Sequence, residues 1–128
     1  MRVAFTTADG LNVDLHFGQT SVFHVWDVGP TEARFVEHVR AIVAADDEED
    51  RTTARATAVA GCAIVYTVQI GGPAAAKLVA CRIHPMKTGA EVAIAEVVSK
   101  LQGVMRGSPP PWLRKAMGLA APTPAEEA

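Results

Sequence analysis

Only two cysteines occur in the chain, Cys62 and Cys81, and they form none of the paired spacings that mark zinc sites or dithiol redox centres. Buried thiols acting as small hydrophobes are the simpler reading, with a disulfide between them left open. Basic residues are not in excess: 12 Lys and Arg stand against 14 Asp and Glu, a formal net charge of −2. Nucleic-acid binders usually carry a clustered basic face, which disfavours that class. No apolar run is long enough to span a membrane, and Met1-Arg2-Val3-Ala4-Phe5 turns polar at Thr6 and Thr7. A signal peptide is therefore not expected, and the cytoplasm is the expected location. What is present suits one packed domain, with 49% hydrophobic and 20% charged residues. A chain of this size buries roughly 65–70% of its unfolded surface without needing metal or disulfide support.

Met1 to Thr7 reads as a first strand, followed by a long polar loop from Ala8 to Thr20. Ser21 to Val28 is rich in valine and aromatics, and Gly29-Pro30 turns the chain so that Ala33 to Ile42 pairs back as a third strand. The acidic run from Asp46 to Asp50 is placed to start a helix that ends at Gly61. Consecutive carboxylates point in different directions on a helix, so this run is a solvated face and not a metal site. Cys62 to Thr67 is nearly continuous in apolar residues, as expected of a parallel strand covered on both faces. Gln69-Ile70-Gly71-Gly72 leads to Pro73 at the start of a short helix reaching Ala80, and Ile83 to Lys87 is the next strand. Thr88-Gly89-Ala90-Glu91 fits a capping box for a last helix whose apolar face is Ile94, Val97, Val98, Leu101, Val104 and Met105. The division expected is a domain over 1–106 and a proline-rich tail over 107–128, with a short helical turn at Trp112 to Met117 and a disordered Ala/Pro/Glu ending.

Five segments carry a family resemblance in one order: Asp14-x-His16-Phe17-Gly18, Cys62-Ala63-Ile64-Val65, Ile70-Gly71-Gly72-Pro73-Ala74, Ile83-His84-Pro85, and Pro110-Pro111-Trp112-Leu113-Arg114-Lys115. Together they resemble the dinitrogenase iron-molybdenum cofactor carrier family, from Met1 to about Met117. The chain departs from the family pattern at Cys81 and Arg82, where a small residue and glycine are more usual. The resemblance implies an α/β fold like ribonuclease H, with three layers (α/β/α), three helices and a five-stranded mixed sheet in the order 3-2-1-4-5. It also implies no enzyme. The implied role is transient binding of an iron-sulfur precursor of the iron-molybdenum cofactor, either the NifB product or a later intermediate, and its transfer between assembly proteins such as NifB and the NifE-NifN scaffold.

With the first and fourth strands adjacent, the chain leaves them in opposite directions, which makes a switch point, and ligands favour the crevice beyond their carboxyl ends. The expected site joins Asp14, His16, Phe17 and Gly18 to Gln69, Gly71 and Gly72. His16 is the expected iron ligand, with Asp14 positioned to orient its ring. The glycines let backbone amides approach an anionic cluster at a helix N-terminus, or simply make a tight turn. Cys62 is chemically the better ligand for iron but starts its strand at the far end, which leaves it a weaker candidate. His24 and His38 read as ordinary strand residues, and His84 as a strand residue or part of the crevice rim. Two-metal nuclease chemistry, supported by the same fold elsewhere, needs carboxylates on the first strand, and Met1 to Thr7 has none. The other alternative is a docking chaperone of the assembly machinery that uses Trp112 and has little cluster affinity of its own.

Overall fold

The computed structural model describes residues 1–42 and 47–118. Asp46 and the Ala/Pro/Glu ending lie outside the described residues. The elements are β1 (Arg2–Thr6), β2 (Asn12–Val13), a 3₁₀ turn (Phe17–Gln19), β3 (Val22–Val28), β4 (Ala33–Arg40), α1 (Glu48–Ala58), β5 (Ile64–Thr67), α2 (Gly72–Ala80), β6 (His84–Lys87), β7 (Val92–Ala93), α3 (Ile94–Arg106) and α4 (Pro111–Ala116). Five strands form one mixed sheet in the order β4-β3-β1-β5-β6, and β2 and β7 make a separate ribbon. β1 is central, antiparallel to β3 and parallel to β5.

Side-chain alternation along the strands separates two core layers. Val3 and Phe5 of β1 and Ile64 and Tyr66 of β5 pack under Ile94, Val97, Val98 and Leu101 of α3. Ala4, Phe23, Val25 and Val65 face the other way, onto Ala56, Val59 and Leu78 beside α1 and α2. All four residues of β5 are buried, which explains why its sequence lacks the polar alternation of a one-sided strand. β3 and β4 pair with one register skip between Val25↔Glu37 and Trp26↔Phe35, so Val36 is the bulged residue of the edge strand.

Two sequence expectations about the last long helix are corrected here. The Thr88-to-Glu91 segment is not a capping box: the Thr88 hydroxyl donates to Ala90 O (2.8 Å), and α3 begins only at Ile94. Val92 and Ala93 are drawn into pairing with Val13 and Asn12, and the Ile94 N–H donates to Leu11 O (2.8 Å), so the long loop supplies the cap. Val104 does not join the buried stripe of α3 but is 44% exposed. Cys62 and Cys81 are both free, Cys62 buried and Cys81 exposed at the end of α2. The described part of the segment after Arg106 adds α4 to the domain: Leu113 is buried in the α3-side core, and Trp112 stacks on His84 with ring centroids 3.7 Å apart.

Arg82 has φ +63°, in the left-handed region that favours glycine. This is one of the two positions where the chain departs from the family pattern, and its side chain is exposed. Arg82→Gly relieves that strain while loosening the unfolded chain. The expected net result is a stabilisation of about 0.5–1 kcal/mol in chemical denaturation.

Candidate functional site

The Ala8-to-Thr20 loop crosses the carboxyl ends of β1 and β5 and is pinned there by side chains from both. Thr6 and Thr67, fully buried at these two strand ends, aim their hydroxyls at one atom, Leu15 O, at 2.7 and 3.1 Å. The Val68 N–H donates to the same carbonyl at 3.1 Å. Two residues on, the Phe17 N–H donates to Gln69 O at 2.9 Å, which ties the loop directly to the turn before α2. The Phe17 ring is buried in the α1–α2 core, 5.8 Å from Phe23 between centroids. Between these two anchors His16 is exposed. Its N–H donates to Gln19 Oε1 (3.0 Å) and its carbonyl accepts from the Gln19 N–H (3.0 Å), so the backbone is held while the imidazole faces solvent.

A buried arginine completes the scaffold. Arg55 of α1 is 9% exposed and donates through Nε to Thr20 O and through Nη2 to Gly18 O, both at 2.9 Å. No carboxylate among the described residues pairs with it, so its positive charge lies under the loop uncompensated by an acid. Sequence reasoning missed this residue. The available signal was a long cation at a position of α1 one residue from the buried Ala56.

Gly71 caps α2 with φ −73°, and Pro73 leaves the first turn without one N–H to satisfy. A Cβ built at Gly18, Gly71 or Gly72 meets nothing within 4 Å, and none of the three has a positive φ. The turn itself therefore does not demand glycine at these positions. They are exposed, open to whatever approaches the helix N-terminus.

The other candidates sit elsewhere or do other work. Asp14 does not orient the His16 ring: its Oδ1 accepts from the Ala8 N–H at 2.9 Å, closing the loop on itself. Phe17 is an anchor in the core. Cys62 precedes β5, whose first residue Ile64 pairs with Val3, whereas Thr6 and Thr67 lie at the opposite ends of the same strands. At ~3.3 Å per residue this puts Cys62 about 15 Å from the His16 end. Burial also pushes its thiol up to about 11. Alkylation at pH 8 is accordingly expected to label Cys81 in the native protein and Cys62 only after denaturation, as read by mass spectrometry. His24 and His38 face each other across β3 and β4 with ring centroids 4.2 Å apart, and burial, then the neighbouring His38, lower the pKa of His24. His84 is stacked under Trp112, and its pKa is lowered by burial. Among the described residues, no three His, Cys, Asp or Glu side chains converge on a metal position. None of the described helices is long and apolar enough to cross a membrane.

The fold defines a small α/β protein with a mixed five-stranded sheet, in which the loop carrying the exposed His16 is bonded to the turn before α2. Residues 1–103 match the family model described as dinitrogenase iron-molybdenum cofactor, and the chain belongs to that family. It is 37% identical over 137 residues to protein NifX of Sinorhizobium fredii, covering 99% of this chain and 86% of that one. Protein NifX of Herbaspirillum seropedicae is 40% identical over 119 residues, with 91% and 82% of the two chains covered. Protein NifY of Azotobacter vinelandii is 37% identical over 118 residues, 92% of this chain but 48% of the relative. The crystal structure of PH0822 superposes with a TM-score of 0.64 at 25% identity, covering 80% of this chain and 91% of that one. Membership ties this protein to nitrogen fixation, with a role in biosynthesis of the nitrogenase iron-molybdenum cofactor.

Proposed function

We propose that this protein is a carrier and not a catalyst: it takes up an iron-sulfur precursor of the cofactor, the NifB product or a later intermediate, and hands it on in the cytoplasm. The partners in this reading are cofactor-assembly proteins of the NifB and NifE-NifN scaffold type. The observation that carries the proposal is the exposed imidazole of His16 held between two fixed points, Leu15 O on Thr6 and Thr67 and Phe17 N on Gln69 O. A neutral imidazole is a good ligand for iron. The anionic charge of the cargo would be met by the amides at the start of α2 beside Gly71 and Gly72, and by the Arg55 guanidinium below. The sheet order β4-β3-β1-β5-β6 supports reading the fold as ribonuclease H-like, with the cargo beyond the carboxyl ends of β1 and β5.

One protein ligand suits a carrier, because cargo held by several strong bonds leaves slowly. The docking reading has less support, since Trp112 is already engaged with His84. Anaerobic transfer tests the proposal: protein loaded with isolated precursor is mixed with cluster-free scaffold, and iron is followed on both after separation. Iron should move to the scaffold, and iron that never leaves the protein would contradict a carrier. Gly71→Ala is a matched probe, expected to leave the thermal midpoint unchanged or slightly raised while weakening cluster retention severalfold.

A further inference from the structure

A cavity of about 380 Å³ lies on the α3 and α4 side of the sheet, on the opposite face from α1 and α2. Its walls are apolar: Met86 from β6, Val97, Leu101 and Val104 from α3, and Trp112 from α4. Small-molecule sites span roughly 300–1,000 Å³ and pair such walls with a few placed polar groups. Here those groups are Tyr66, Thr88 and Lys100, and no acidic side chain lines the cavity.

Each polar group has a distinct status. The Thr88 hydroxyl is engaged with backbone, donating to Ala90 O at 2.8 Å. Tyr66 is 9% exposed, and its ring stacks on Phe5 at 5.6 Å between centroids. Yet none of the hydrogen bonds among the described residues involves its hydroxyl. The hydroxyl is not a buried orphan: it stays open to the cavity, a donor that a ligand can reach. Lys100 pairs with Glu96 at 3.4 Å, but this is an exposed pair on one helix that holds the ammonium weakly. An unpaired hydroxyl donor, one loosely held cation and apolar walls together select an acceptor that is anionic and carried on an apolar body.

We infer that this cavity binds a small monocarboxylate with an apolar body, its carboxylate accepting from the Tyr66 hydroxyl in the field of Lys100 and its apolar part lying against Met86, Leu101 and Trp112. The site is independent of the His16 loop. Val104, exposed on α3 and lining the cavity, marks its open side.

Isothermal titration of the full chain with octanoate, and with octan-1-ol as the neutral match, tests this. Wild-type protein should bind octanoate saturably at one site, and octanol about tenfold or more weakly. Tyr66→Phe keeps the ring and its packing and should weaken octanoate about tenfold, the usual worth of a hydrogen bond to a charged group. Lys100→Gln, a change at the surface, should erase the preference for octanoate over octanol. Val104→Trp should block both ligands. Absence of saturable octanoate binding, octanol binding as tightly as octanoate, or a Tyr66→Phe protein indistinguishable from wild type would each overturn the inference.

Discussion

Arg55→Ala is expected to destabilise the protein by about 3 kcal/mol and to release the loop that carries His16. The guanidinium donates to Gly18 O and Thr20 O from a buried position, so its removal strands the buried Thr20 carbonyl, leaves the part-buried Gly18 carbonyl to water and opens a void. Each buried acceptor left unpaired costs roughly 1–3 kcal/mol, and the lost packing adds to this. The denaturant midpoint should fall without a change in slope, and hydrogen exchange should speed up across residues 15–20 more than in β1 or β5. Arg55→Lys keeps the charge but cannot serve two carbonyls with one planar fork, so it should recover only part of the loss. A loss below about 1 kcal/mol would mean that the loop is held by Phe17 and the two threonines alone.

His16→Ala is expected to do the reverse, sparing the fold and removing the function. The imidazole is exposed, and the loop bonds at this residue come from its backbone, so stability should change by no more than about 0.5 kcal/mol. Cluster retention should fall at least tenfold, since the proposed site has one protein ligand and the amides and Arg55 contribute only charge balance. His24→Ala and His38→Ala are the controls. They remove imidazoles from the β3–β4 pair, and retention should stay at the wild-type level.

The sheet was largely legible because its signals are local. The apolar run at Ile64-Val65-Tyr66, the valine-rich β3 and the Gly29-Pro30 turn each report on their own surroundings, and boundaries shifted by only a residue or two. The features that escaped are those in which a distant segment supplies a partner. Thr88-to-Glu91 has capping-box residues, but the cap of α3 comes from Leu11 O, more than 80 positions away in sequence. Arg55 looks like one more solvated charge in an acidic, alanine-rich helix, and only the fold reveals that it reaches Gly18 and Thr20. Asp14 illustrates the same limit inside the motif: two residues from His16 suggested a partner for the ring, whereas the backbone bend turns its carboxylate onto Ala8. Trp112 has a sequence suited to an exposed docking residue, and what it meets is His84, an edge-strand residue with no local signal linking the two.

Among the positions expected to form the site, the structure brings His16 and Gln69 together through the neighbouring Phe17 N–H, and Gly71 and Gly72 follow directly. It assigns Phe17 to the core and leaves Cys62 at the far end with a protonated thiol. The proposed site then keeps one side-chain ligand, His16, and the central claim rests on it. It is tested most directly by anaerobic gel filtration of wild-type, His16→Ala and Cys62→Ala proteins after incubation with the isolated precursor cluster, with iron measured against protein in each peak. Iron should comigrate with the wild-type and Cys62→Ala proteins and be largely lost from His16→Ala. No iron on the wild type, or equal iron on His16→Ala, would contradict the account.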